Sequence, residues 1–387
     1  MTSTAERQHP VSTPAPASSS RGAAVERVLD LARWAPSGDN SQPWRFEIKG
    51  DDHVVVHGYD TRGHCVYDLE GRASQVSVGA MLETMRIAAS AEGLRMHTAL
   101  RSGLPDTFPL IDVRFESAPG IGADPLVAAI RSRTVQRKPL STRPLDAETR
   151  SRLEGAVGPG YSVVWFEGQK PKLRMAWLAL RSAKIRLTIP EAYAVHRDII
   201  RWGATHSEDG VPDRALGADA LTVRSMRWAM QSWKRIDKMN RYLGGTYAPR
   251  LQMDFVPALK CAAHFAIVAD AEPLGIQDHL DAGAAAQRFW LTATACGLHL
   301  QPQYTPLVFA GYARDGVAFT TVEPALRRAK KVEQMLGGLL GPSARKAVFL
   351  GRVGQGPAPS SRSLRLPLAR LRWVGGEERP GFVPPPA

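Results

Sequence analysis

The stretch that decides how this chain reads is Ala35–Trp44, A-P-S-G-D-N-S-Q-P-W. Before it, Val25, Val28, Leu29 and Ala32 form an apolar stripe of helical spacing; after it, Trp44-Arg45-Phe46-Glu47-Ile48 reads as a strand. Pro36 disfavours helical geometry at Ala35 and so ends the helix, while Pro43 should push Gln42 into extended backbone. Gly38 admits a left-handed or closely approached backbone. Between the prolines lie Ser37, Asp39, Asn40, Ser41 and Gln42. Neutral amides carry donors and acceptors together, which suits a planar ligand whose edge alternates the two.

With 387 residues the chain has room for two domain-sized units. A composition of 44% hydrophobic and 22% charged residues is that of a globular protein, and no apolar run approaches membrane-spanning length. Residues 1–22 are rich in Ser, Thr, Pro and Ala and read as a disordered tail, as does the Pro-rich 373–387. Cys65, Cys261 and Cys296 are too scattered for a disulfide framework or a zinc site, so no metal is expected and a cytoplasmic location is. The net charge of +13 is spread over several separate basic stretches without a nucleic-acid motif. Neither nucleic acid nor membrane is therefore expected as a partner. G-x-S-x-G, a P-loop, H-E-x-x-H and C-x-x-C are all missing.

Two segments look alike. Gly79–Leu94 (G-A-M-L-E-T-M-R-I-A-A-S-A-E-G-L) and Gly283–Leu298 (G-A-A-A-Q-R-F-W-L-T-A-T-A-C-G-L) match at Gly, Ala, Ala, Gly and Leu, with a constant offset of 204 residues. Each reads as an Ala-rich buried helix closed by a glycine. A basic element, Ile130-Arg131-Ser132-Arg133-Thr134-Val135-Gln136-Arg137-Lys138-Pro139, stands between them, followed by a helix with Asp146 as N-cap. Where the second unit should repeat the turn at Ala35–Trp44 it has Val157-Gly158-Pro159-Gly160-Tyr161, and then a strand from Ser162 to Phe166.

The Ala35–Trp44 segment with Phe46 resembles the A-P-S-x-x-N-x-Q-P-W-x-F signature of the FMN-dependent nitroreductase family. The resemblance implies an α+β fold of two related halves, each a mixed sheet flanked by helices, packed as a pseudo-dimer within a monomer. The units would be 23–125 and 126–372, the second carrying a helical insertion at about 167–258. In that family the turn reaches across the dimer interface to the flavin, which implies contacts from Pro36, Ser37, Gly38, Asn40 and Gln42. The family often has a second serine where Gly38 stands. A basic R-x-S element grips the flavin phosphate, which implies Arg131, Arg133 and Thr134; Gln303, Tyr304 and the C-terminal arginines Arg362 and Arg365, either of which could meet the phosphate, complete the implied cofactor set. Unit one keeps the turn and lacks the basic element, and unit two is the reverse, so one complete site is expected.

The insertion reads as helices Leu173–Leu187, Ile189–Trp202 and Ala218–Tyr242. Trp228 and Trp233 are the expected substrate-pocket residues, with Thr205–Gly210 as a rim. The implied activity is ping-pong transfer from NADH or NADPH through flavin N5 to a small organic acceptor, with no catalytic side chain required. The alternative is a non-catalytic protein that binds and sequesters FMN beneath a lid.

Overall fold

In the computed structural model, which describes residues 20–373 and 375, the first half opens with helix α1 (Ser20–Ala32). Its buried face is the predicted stripe: Val25, Val28, Leu29 and Ala32 are all enclosed. The helix starts inside the segment expected to be a tail, so that tail cannot extend to residue 22; residues 1–19 lie outside the described residues. Strands β1 (Trp44–Ile48) and β2 (His53–Gly58) pair as a hairpin, and α2 (Arg72–Ala91) leads to β3 (Leu94–Leu100) and β4 (Leu110–Ser117). The sheet order is β1-β2-β4-β3.

The second half repeats this plan. After α3 (Ala147–Ala156), where the Asp146 carboxylate accepts from Thr149 N at 2.7 Å, comes β5 (Tyr161–Phe166). The insertion holds α4 (Gln169–Arg186), α5 (Pro190–Ile199), α6 (Ala220–Ala229) and α7 (Trp233–Tyr242). The chain resumes with β6 (Ala263–Ala269), α8 (Ile276–Ala295), β7 (His299–Pro302), α9 (Thr305–Arg314), α10 (Glu323–Leu340) and β8 (Ala347–Gly354). This sheet runs β5-β6-β8-β7, the same first-second-fourth-third order as the first. Within each set of four strands all pairings are antiparallel. The sheets become mixed only at an edge, through the parallel bridges Phe46–Arg372 and Val135–Leu300.

The halves meet where α2 crosses α8, and the contacts come in exchanged pairs. A Cβ on Gly79 would lie 1.9 Å from the Leu280 carbonyl oxygen, and a Cβ on Gly283 would lie 2.1 Å from that of Val76. Val76 and Leu280 are themselves 204 apart, as are Gln75 and His279, whose side chains meet at 2.7 Å. Gly79 and Gly283 thus each meet the counterpart of the other's contact, and Gln75 meets its own counterpart, which is what a local two-fold demands. The glycines let two helix backbones touch, and their neighbours become a shared floor.

Three boundaries in the insertion differ from the sequence reading. The helix expected over Ala218–Tyr242 is two helices, because Ser232 is extended (φ −157°, ψ 135°) and restarts the chain. The helix expected to reach Trp202 stops at Ile199; Ile200–Arg201 instead pair in parallel with Val211–Pro212. The first begins a turn earlier than Leu173, after Gly168 at φ 72°. At the other end, Trp373 does not belong to a tail. It stacks on His57 with centroids 4.3 Å apart, and its N–H donates to Phe46 O at 2.8 Å. The rest of the expected tail, apart from Gly375, lies outside the described residues.

Candidate functional site

The Ala35–Trp44 turn has unusual backbone. Asp39, Asn40 and Gln42 sit at φ 51°, 61° and 50°, three of the four non-glycine residues at positive φ among the described residues. Asp and Asn tolerate this region, whereas Gln does so only under compulsion. Gln42 is therefore left-handed and not extended as Pro43 suggested, and its hydrogen bonds show why. Its N–H donates to Ser37 Oγ (2.9 Å), and its carbonyl accepts from Tyr59 O–H (3.0 Å). Its Nε2 donates to the carbonyls of Asn40 and Glu208 (3.2 and 3.0 Å), while its Oε1 accepts from Leu366 N (2.9 Å). Fully enclosed and fully used, Gln42 is a brace and not a ligand-facing residue, which corrects its place in the expected set. The brace turns Pro36, Ser37, Gly38, Asp39 and Asn40 toward a cavity of about 410 Å³.

That cavity lies where the two halves and the insertion meet. Val76, Ser77 and Ala80 of α2 and Ala286, Gln287 and Trp290 of α8 form its floor, next to the glycine crossing. Thr134, Gln303 and Tyr304 also line it. At one end stand Arg133, Arg362 and Arg365, contributed by the basic element and the C-terminal segment. Arg133 donates Nη2 to Trp34 O (2.9 Å) and stacks over Trp290 at 4.6 Å. Arg365 donates Nε to Ala35 O (2.8 Å), and Arg362 donates Nη2 to Arg131 O (3.0 Å). Among the described residues no carboxylate pairs with any of the three, and the Nε atoms of Arg133 and Arg362 are buried without a partner. Burial, followed by mutual repulsion, depresses Arg133 well below its ordinary range and brings Arg365 down to about 9. Unpaired buried cations are costly, and an anion at this end would offset that cost.

Arg131 is not part of it. Its guanidinium pairs with Asp30 at 2.5 Å and lies largely exposed over Trp34, because the short helix Ala129–Ser132 turns it away from Arg133. The aromatic pair is corrected as well. Trp228 is 52% exposed under the Arg235 guanidinium, and Trp233 packs on Tyr193, so neither lines the cavity. The break at Ser232 rotates α7 away, and Met226 and Met230 face the cavity together with Met253. The Thr205–Gly210 loop clamps the turn: Glu208 O accepts from Asn40 Nδ2 at 3.1 Å as well as from Gln42.

Other lining residues had no signal in the sequence. Tyr67 hydroxyl and His196 Nε2 lie 3.0 Å apart although 129 residues separate them in the chain. Arg186 holds Asp254 through both carboxylate oxygens (3.0 and 2.8 Å). Burial lifts the Asp39 carboxyl above its usual range despite Arg137 and Arg186, keeps Tyr67 a phenol, and pushes His196 down to about 3. An unfolded histidine titrates near 6.5, so below that pH the unfolded chain takes up a proton the folded ring refuses. Stability should be full above about pH 6.5 and fall with pH by up to about 1.4 kcal/mol per unit for this ring. In denaturant melts between pH 7 and 4, wild type should lose stability relative to His196→Gln; parallel curves would show that the ring charges normally.

No family model matches the chain. An uncharacterized protein of Mycobacterium tuberculosis is 44% identical over 206 residues, 52% of this chain and 59% of the relative. Another from that organism is 25% identical over 298 residues, 75% of this chain and 40% of the relative. A third, named "Putative NAD(P)H nitroreductase acg", is 26% identical over 205 residues, 52% of this chain and 60% of the relative. The chain spans about half the length of the curated relatives it matches. Among solved structures, a nitroreductase with bound FMN from Bacteroides fragilis is 10% identical, with 60% of this chain and 89% of that one covered at a TM-score of 0.34. The FMN-dependent nitroreductase NfnB from Mycobacterium smegmatis, in complex with NADPH, is 15% identical, with 64% and 96% covered at a TM-score of 0.32. With its twice-used strand order and its crossed central helices, the chain is an α+β protein of two related halves that meet about a local two-fold.

Proposed function

We propose that the cavity binds one FMN and that the protein is an FMN-dependent NAD(P)H oxidoreductase acting on a small organic acceptor. The observation that carries this reading is the trio Arg133, Arg362 and Arg365, which has orphaned Nε atoms and no carboxylate partner, whereas Arg186, elsewhere in the cavity lining, is held by Asp254. Guanidinium forks match phosphate oxygens, and the Pro36–Asn40 turn, Thr134, Gln303 and Tyr304 supply neutral hydrogen-bonding groups for a polar, planar ring system. When bound, FMN supplies two-electron redox chemistry at N5, so that NADH or NADPH and then the acceptor can be served in turn at one site. The chain's own residues bind, orient and exclude water. Met226, Met230 and Met253 give an adaptable apolar wall, while Tyr67 and neutral His196 offer uncharged hydrogen bonds to an acceptor.

A second reading has its own support. The insertion roofs the cavity and its Glu208 carbonyl ties down the turn, an arrangement that suits holding FMN beneath a lid. One experiment separates the two. Titration with FMN should saturate at about one per chain, since the trio occurs once, and anaerobic mixing with NADH or NADPH should bleach the flavin band within seconds. A bound flavin that neither nucleotide reduces supports the holding role. No binding at all removes both readings.

A further inference from the structure

The insertion has a second face. Of the thirteen large apolar side chains that stand exposed among the described residues, nine lie between Leu173 and Val256. On α6, Leu221 and Trp228 are seven apart and so share one side, both exposed. Tyr242 and Leu243, at the end of α7, are each 78% exposed. No residue of α7 is fully buried; the helix lies on the molecule, held by Trp233 against Tyr193 and by Asn240 Nδ2 donating to Leu187 O at 2.7 Å. The charge on this hairpin has one sign. Arg224, Arg227, Lys234, Arg235, Lys238 and Arg241 are opposed only by Asp237, which pairs with Arg241 at 3.0 Å.

We propose that the outer face of the α6–α7 hairpin docks on an anionic lipid surface. Exposed Leu, Trp and Tyr ringed by Lys and Arg on short amphipathic helices is the composition that lies in a headgroup layer, apolar groups inward and cations among phosphates. Among the described residues no helix is long and apolar enough to cross a membrane, and the contact is peripheral. The details argue against other occupants. A single-stranded nucleic acid would want free aromatic faces for stacking, but one face of Trp228 is covered by the Arg235 guanidinium at 4.9 Å, and a duplex, held through its phosphates, has no use for the exposed Leu221 and Leu243. A second copy joined about a two-fold would set this cationic hairpin against itself. Inside, the same helix presents Met226 and Met230 to the cavity, so docking places lipid one helix away from it. This inference does not depend on the flavin.

The test is flotation of the full chain with vesicles of equal parts phosphatidylglycerol and phosphatidylcholine, compared with pure phosphatidylcholine. Binding should be at least about tenfold stronger to the anionic vesicles and should weaken as salt rises from about 0.05 to about 0.5 M, where charges are screened. The double variant Leu221→Glu with Leu243→Glu, both at exposed positions, should lose this binding by about tenfold or more. Leu274→Glu, an exposed apolar site outside the insertion, should not. Absence of any preference for anionic vesicles overturns the proposal, as does undiminished binding by the double variant. So does duplex DNA binding, or a dimer in sedimentation, that the double variant abolishes while vesicles are ignored.

Discussion

Gly79→Ala and Gly283→Ala should each destabilise the fold by about 3 kcal/mol or more, although both put a better helix former into the middle of a helix. The sign is the informative part. On propensity alone, alanine gains about 1 kcal/mol over glycine inside a helix. Against that, the new Cβ would sit 1.9 Å from Leu280 O in one variant and 2.1 Å from Val76 O in the other, and both obstacles are backbone. A carbonyl within a helix cannot rotate away as a side chain does, so the two axes must separate and the enclosed floor loses its packing. Gly337 in α10 is the matched control. A Cβ there meets nothing within 4 Å, so Gly337→Ala should stabilise by up to about 1 kcal/mol. Urea midpoints of the three variants decide it. If Gly79→Ala behaves like Gly337→Ala, the helices are not in backbone contact and the local two-fold between the halves is misplaced. Because Val76, Ser77, Ala286 and Gln287 belong to the same crossing, the glycine variants that survive should also hold ligand poorly.

How far these features could be read from residues depends on how locally each is encoded. The turn at Ala35–Trp44 carries its own instructions: two prolines, a glycine and four small polar side chains mark where a helix must end and a strand begin. The helix crossing is legible for a different reason. A glycine that must admit another backbone has no substitute, so Gly79 and Gly283 match at the constant offset where many residues around them do not. Orientation is another matter. R-S-R places two arginines two apart, yet only the short turn at Ala129–Ser132 and the carboxylate of Asp30 decide that Arg133 faces in and Arg131 out. Gln42 looked like a ligand group because glutamine is polar; its role as a brace depends on Tyr59, Glu208 and Leu366, all distant in sequence. Trp233 is turned away by the extended ψ at Ser232, which splits a helix that periodicity alone would continue, while Trp228 shares the outer side of its helix with Leu221. Tyr67 and His196 meet only after the insertion has folded back over the first half, and no local pattern announces that.

Replacing Arg133 by methionine should make the ligand-free protein more stable and the FMN complex much weaker, in the same variant. Both follow from one geometry. The Arg133 side chain is buried with a free Nε, two like-charged neighbours in Arg362 and Arg365, and no carboxylate partner. Substituting an apolar side chain of similar reach removes an uncompensated charge; replacing even paired buried charges by apolar groups is often neutral or stabilising, by up to about 4 kcal/mol. On the proposed reading the same change deletes a charge-assisted hydrogen bond to phosphate, worth about 1.5–3 kcal/mol, or roughly tenfold to a hundredfold in affinity. Thermal melts without ligand and fluorescence titrations with FMN read the two effects separately. Riboflavin, which has no phosphate, should bind wild type and variant almost alike. Arg131→Met supplies the contrast, since that side chain is exposed and satisfied by Asp30; its FMN affinity should change less than about threefold. If Arg133→Met lowers stability and loses riboflavin as severely as FMN, Arg133 is a structural residue held by Trp290 and the Trp34 carbonyl, and the anion end of the cavity must be sought elsewhere. If instead stability rises while FMN alone is lost, the apo protein carries a strained cluster of positive charge whose relief is the binding of a phosphate.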